Sequence, residues 1–344
     1  MVWQPVGVGR PRERGVCART TGGTGTAVTT STSTEPRPPS GRQVELTRGE
    51  QRAVVVQVGG GLRAYTAEGR RVLDGYAADE RASSGRGQVL LPWPNRLDEG
   101  RWEWEDRTQR VPVGAPEEDT ARHGLARWLV WEVEADGDDA AVARLSLPPQ
   151  PGWPGWVDSE IRYALDDDGL QVTTRVTVPG TAGGPEAVPV GLGFHPFLHA
   201  GDGVVDDCEV TSPGRRWQPV DDRGLPYGDP QPVVGGDYEL SRRRLGDVRL
   251  DAAVTDLDRD RDGWATTTLR RPDGSGVRLK VDETYRWLQL FTGDTVSPAD
   301  RRRKGLAVEP MTCPADALRS GTDLVVLEPG QLLRAVWRVE PFGP

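Results

Sequence analysis

Three observations predict an all-β fold, a large antiparallel β-sandwich with few short helices. Apolar and polar residues alternate with a period of two from Gln43 onward. Short β-branched and aromatic runs are punctuated by 43 Gly and 29 Pro, the residues that make turns. No window longer than about ten residues carries a capped 3.6-residue repeat, so helices should be short and peripheral. The clearest strand is LQVTTRVTV, where Leu170, Val172, Thr174, Val176 and Val178 can face a core while Gln171, Thr173, Arg175 and Thr177 face out. QLLRAVWRVE repeats the scheme with Leu333, Ala335, Trp337 and Val339. RAVVVQV, WLVWEVEA, AAVARLSL, WATTTLRR, SGVRLKV and WLQLFT are further strand candidates, and the GGG at 59–61 reads as a hairpin turn.

The domain plan is a tail followed by one unit. Residues 1–42 are rich in Thr, Ser, Gly and Pro, with too few large apolar groups to offset chain entropy. Disorder is expected there. This tail is basic, with Arg10, Arg12, Arg14, Arg19, Arg37 and Arg42 against Glu13 and Glu35. Residues 43–344 show no fixed-period repeat and no further composition break, so they read as one domain.

Charge and cysteine usage exclude several function classes. The 43 Lys and Arg against 52 Asp and Glu give 43 − 52 = −9, which offers no global attraction to nucleic acid or an anionic membrane. Cys17, Cys208 and Cys313 are odd in number and widely spaced, which argues against a disulfide framework or a structural zinc site and fits a reducing cytoplasm. No apolar run approaches the ~20 residues that cross a bilayer. There is no P-loop, G-x-S-x-G elbow, H-E-x-x-H or dinucleotide fingerprint, so no nucleotide cofactor is expected. DLDRDRDG at 256–263 lacks the final Glu of a calcium loop and reads as a charged turn.

Proton chemistry has few candidates. Only three histidines occur, and His123 in RHGLARW and His195 in GLGFHPFL sit in Gly- and aromatic-flanked segments. The carboxylate to pair with them is Glu309, which interrupts the apolar stretch of GLAVEPMTCPADAL. A histidine beside apolar neighbours is more often a hydrogen-bonded core residue, so the set carries the argument and no member alone does. His199 lies four residues after His195, but no third ligand supports a metal reading and it is taken as a bystander. Asn95 and Arg96 follow a Pro-locked turn in LLPWPNRLDEGRWEW and offer fixed donors suited to hydroxyl groups, with Trp93, Trp102 and Trp104 as nearby flat faces for packing or sugar stacking.

The ordered set LPWPNRLDEGRW, RHGLARW, GLGFHPFL, RLDAAVTDL, WLQLFTGD and AVEPMTCPADAL resembles the aldose 1-epimerase (galactose mutarotase) family over nearly all of residues 43–344. The resemblance implies a galactose mutarotase-like supersandwich that interconverts the α and β anomers of a free aldose without metal or organic cofactor. It implies Glu309 as general base and His195 as general acid. Substrate binding would fall to His123, Asn95, Arg96, Asp251 of RLDAAV and Gln289 of LQLFTG. The implied partner is a monosaccharide, with no nucleic acid and no membrane, and the protein would be a monomer or weak dimer. GFHPFL differs from the N-H-S-Y-F-N segment of galactose-active members, so galactose specificity does not carry over. HGLAR also resembles hexose-6-phosphate mutarotases, where Arg127 would meet a phosphate. Two other readings stay open: a catalytically silent sugar-binding module, and a glycoside hydrolase or lyase using Asp251 as a second carboxylate.

Overall fold

The computed structural model describes residues 36–114, 119–180 and 182–343. Most of the expected tail therefore lies outside the described residues, and a compact unit spans Arg37–Pro344. Residues 37–42 belong to that unit: Ser40 is buried, and its carbonyl accepts from Val58 N at 2.9 Å.

Two large antiparallel sheets dominate the described residues. The nine-stranded sheet runs, in spatial order, Glu132–Ala135, Ala140–Leu147, Val157–Leu165, Leu170–Thr177, Leu332–Phe342, Gly276–Val281, Ala265–Arg270, Glu209–Thr211 and Arg243–Arg244. The eight-stranded sheet runs Gln231–Pro232, Gly214–Trp217, Asp251–Leu257, Trp287–Phe291, Gly305–Met311, Gly193–Phe194 and Val89–Leu90, with Phe197–His199 also pairing to Gly305–Met311. A four-stranded sheet, Gln43–Arg48, Gln51–Val56, Leu62–Ala67 and Arg70–Arg71, adds to the layers. Helical structure among the described residues is limited to the turn-length helix Ala317–Ser320 and three 3-10 turns, as the absence of helical periodicity predicts.

Alternation becomes layering. In Leu170–Thr177 the residues Leu170, Val172, Thr174 and Val176 are all buried, while Arg175 is exposed. The facing strand Leu332–Phe342 contributes Trp337, whose ring lies 5.2 Å from that of Phe194 on the eight-stranded sheet, so one aromatic contact joins the two layers. Tyr163 reaches the hairpin turn at 59–61 and donates to Gly60 O at 2.8 Å, tying the four-stranded sheet to the core. One expectation fails locally. WLVWEVEA is not continuous strand: Ala126–Trp128 is a 3-10 turn, Trp128, Leu129 and Val130 are exposed, and the strand begins only at Glu132. The apolar run was a poor guide there because its first three residues cover no core.

No helix among the described residues is long and apolar enough to cross a membrane. The fold rests on the inter-sheet contact, so Trp337→Ala is expected to cost about 3–5 kcal/mol through the cavity it leaves. Equilibrium denaturation in urea, with both transitions two-state, measures it.

Candidate active site

The strand Gly305–Met311 is buried along its whole length, and a carboxyl group sits in its middle at Glu309. Register assigns the neighbours. Gln289 pairs directly with Glu309, and Ala253 pairs with Gln289. Directly paired residues of antiparallel strands share a face, and residues two apart on one strand do too, so Asp251, Gln289 and Glu309 line one face of three adjacent strands.

The other edge of the same strand supplies the histidine. Gly193 pairs with Met311 and Phe197 with Ala307, so continuing either register puts His195 opposite Glu309. Pro196 cannot donate to the ladder, and the chain breaks pairing at that point. The imidazole uses the gap. His195 Nε2 lies 3.3 Å from Glu309 Oε1, and both side chains are more than nine-tenths buried.

A polar relay runs along the wall. Arg96 Nη1 donates to Asn95 Oδ1 at 3.2 Å, Asn95 Nδ2 to Gln289 Oε1 at 3.1 Å, and Gln289 Nε2 to Asp251 Oδ1 at 2.8 Å. Because the chain of bonds ends on a carboxylate, which only accepts, each amide orientation is determined. Asn95 adopts φ +56°, a left-handed conformation that asparagine tolerates, after the Pro92 and Pro94 turn. His123 follows with φ +60°, and its N–H donates to Asn95 O at 2.7 Å. Gly124 must be glycine, since a Cβ there would stand 2.1 Å from Leu91 O. The His123 ring meets the His195 ring edge-on at 5.3 Å.

These groups surround a cavity of about 260 Å3, near the lower end of the ~300–1,000 Å3 typical of small-molecule sites. All seven residues expected from sequence, Asn95, Arg96, His123, His195, Asp251, Gln289 and Glu309, line it. Glu309 Oε2 and His123 Nδ1 are buried without a protein partner and so keep hydrogen-bonding capacity for a ligand. Larger clefts of about 490, 540 and 700 Å3 contain none of the seven. His199 lines the largest of these, accepts from Gly201 N at 3.0 Å, and takes no part in the site. No cluster of metal-ligating residues occurs among the described residues.

Of the two uses open to the tryptophans, the structure shows packing. Trp93 and Trp102 are buried in an aromatic cluster with Trp153, at 6.2 and 5.5 Å, and Trp104 packs on Trp102 at 6.3 Å. Trp128 is the tryptophan that lines the cavity. Arg122 and Arg127 line it as well. Arg122 stands next to His123 in sequence, and pairing of Thr120–Arg122 with Arg96–Asp98 carries it to the site, a signal that chain order alone does not reveal.

Burial dominates the electrostatics. It pushes the Glu309 carboxyl well above the usual carboxylate range, with the Asp251 charge adding to the effect and Arg96 opposing it. Burial also pushes His195 down to about 3, with Arg86 and Arg127 contributing. His123 falls well below the ordinary imidazole value through burial, then through His195 and Arg127. Both shifts in the central pair favour its neutral form, with the acidic proton on the carboxyl.

A sequence profile of the family "Aldose 1-epimerase" matches residues 42–340. The chain belongs to the aldose 1-epimerase family. It is 29% identical over 302 residues to the uncharacterized protein YihR of Escherichia coli K12, covering 87% of this chain and 93% of that protein. It is 26% identical over 232 residues to human galactose mutarotase, covering 64% of this chain and 65% of the relative. Among solved structures, a GalM/aldose epimerase homologue from C. elegans superposes with a TM-score of 0.76 at 16% identity, over 88% of this chain and 98% of that one. A galactose mutarotase-like protein from Clostridium acetobutylicum gives 0.74 at 18% identity, over 87% and 95%. The fold of this family member is therefore the galactose mutarotase-like supersandwich.

A carboxyl whose folded pKa is raised stabilises the fold below its unfolded value of about 4.3 and loses that contribution as pH rises through the folded value. Glu309→Gln removes the ionisation. The variant is expected to melt above wild type at pH 8, with the gap closing toward pH 4, as thermal denaturation across that range would record.

Proposed function

We propose that this aldose 1-epimerase family member interconverts the α and β anomers of a free aldose. The observation that carries this reading is the 3.3 Å contact of His195 Nε2 and Glu309 Oε1 inside a cavity whose wall is a relay of hydroxyl-binding groups. Glu309 takes the proton from the C1 hydroxyl. The freed electron pair forms the C1 carbonyl, the bond from C1 to the ring oxygen breaks, and His195 gives its proton to that oxygen. Rotation about C1–C2 turns the other carbonyl face to the ring hydroxyl. Reclosure with the two roles exchanged yields the opposite anomer.

One proton enters the pair from the sugar and one leaves to it, so the pair's proton count is the same before and after. The ionised arrangement, carboxylate and imidazolium, is the working one, and substrate dipoles replace water in stabilising it. Asn95, Arg96, Asp251 and Gln289 donate to or accept from the sugar hydroxyls, and His123 sits at the edge of His195 to hold the ring oxygen or its neighbour. The acid/base partner of Glu309 is thus a histidine, which favours epimerisation over a two-carboxylate hydrolase.

A phosphorylated sugar is a second reading, supported by three guanidinium groups, Arg96, Arg122 and Arg127, on the cavity wall. Fresh α-glucose, α-galactose and hexose 6-phosphates, followed by polarimetry or anomeric exchange NMR, separate the two. Accelerated mutarotation that Glu309→Gln abolishes supports the enzyme. Sugar affinity without acceleration on any member of the panel would point to a binding module instead.

The pH profile of kcat/KM should have two limbs. Activity needs one proton on the pair, so it falls in acid as a second proton binds, with His195 pushed to about 3 placing that limb well into acid. It falls again in alkali as the last proton leaves, above the ordinary carboxylate range because the Glu309 carboxyl is raised. A profile with a single limb near pH 6.5, the free imidazole value, would contradict this assignment.

A further inference from the structure

Behind His195 lies a second ionic cluster, built on a buried Asp74–Arg86 pair, that the proton chemistry does not use. Asp74 and Arg86 are both nearly inaccessible, and the Asp74 Oδ2 accepts from Arg86 Nε at 3.0 Å and Nη2 at 2.9 Å. The other carboxylate oxygen, Oδ1, accepts from Arg301 Nη2 at 2.7 Å. Arg86 Nη1 donates to Ser83 O and to Ser83 Oγ, each at 3.3 Å, so its planar fork is held on two sides.

A guanidinium so held has one open direction, its flat face. Its Cζ stands 4.8 Å from the centroid of Phe197, and Phe197 in turn stacks on His195 at 5.1 Å with only 16° between ring planes. Cation, phenyl and imidazole form one stack ending at the site. The preceding residue closes the other side: Gly85, at φ +78°, lies so near that a Cβ would stand 2.3 Å from His195 Cδ2. The segment is fastened by Gly87 N to His195 O at 2.9 Å and His195 N to Gln88 O at 3.1 Å. The imidazole is therefore wedged between Phe197 and the Gly85 backbone, with Arg86 serving both walls.

Arg301 extends the cluster to a second part of the site. It sits in the 3-10 turn Ala299–Arg301, in the segment that follows Thr295 and Val296 of the cavity wall. It also donates to Gly75 O. One carboxylate thus holds both the support of the proton donor and the loop that bounds the cavity.

We infer that Asp74 and Arg86 are positioning residues for the epimerisation: Asp74 clamps Arg86 against Phe197 so that His195 stays aimed at Glu309, and through Arg301 it fastens the wall at Thr295 and Val296. The inference rests on His195 as the proton donor. Removing a support of this kind lowers kcat while leaving sugar binding, whereas loosening the wall acts on KM. The charged and titratable groups that act on His195 are Glu309, His123, Arg86 behind Phe197, and Arg127. Loss of the Arg86 charge raises the His195 pKa, which adds a signature that a packing defect does not produce.

The test compares Arg86→Met, Phe197→Leu and Arg301→Gln in the full chain, with kinetics and 15N-histidine NMR read together. Three histidines make the spectrum assignable by single His→Gln substitutions. Arg86→Met and Phe197→Leu are expected to lower kcat by about tenfold to hundredfold with KM within about twofold of wild type. Both should move the His195 imidazole resonances, and Arg301→Gln should raise KM more than it lowers kcat. Breaking a buried ion pair can unfold a protein; should Arg86→Met not fold, Phe197→Leu decides, since it leaves every charge paired. Folded variants with wild-type kcat and unmoved His195 resonances overturn the inference. If wild type accelerates no aldose, the function has failed separately, and the His195 resonances still decide whether the stack positions that ring.

Discussion

Everything at the site depends on one register, the antiparallel pairing that aligns Gly193 with Met311 and Phe197 with Ala307. It puts the imidazole of His195 beside a carboxyl on a neighbouring strand otherwise committed to the core. Pro196 makes this tolerable, because the ladder already lacks a donor where the chain must part from its neighbour. The next two strands repeat the logic, presenting Gln289 and then Asp251 on the same face. A one-residue slip would turn this whole set away from the cavity. The sheet register sets which residues meet, and the packing around His195 sets how its ring is held against Glu309.

That placement works against stability. Burial pushes Glu309 toward its acid form and His195 toward its neutral form, so each group alone is poorly suited to ionic work at neutral pH. In the proposed anomer exchange the two would pass a single proton between substrate and pair in each direction. The relay from Arg96 to Asp251 is hydrogen-bonded along its length, while Arg96 Nε is buried without a protein partner. The buried Asp74 cluster has the same character. Its inferred role is to hold the plane of one ring.

The sandwich was legible because alternation maps directly onto burial, as in Leu170–Thr177, and because turn residues separate the runs. The seven site residues were legible as a set through their order and resemblance, although spacing alone could not have joined Asn95 to Gln289, which lie 194 positions apart. What stayed hidden shares a physical cause. Trp93, Trp102 and Trp104 offered flat faces, but composition does not say which aromatic faces are spent on one another, and Trp128 took the cavity position from within a run that resembled a strand. Asp74, Arg86 and Arg301 look like ordinary surface charges in the sequence. Only the fold buries Asp74 and Arg86 and places Arg86 over Phe197.

The central claim is that His195 and Glu309 act as one proton-sharing unit. The kcat for mutarotation of wild type, His195→Gln, Glu309→Gln and the double variant tests it most directly. Groups that act as a unit are strongly non-additive, so the double variant should lose little more activity than the more damaging single one. Losses that multiply, the double variant falling by the product of the two single effects, would show two independent contributions and contradict the account.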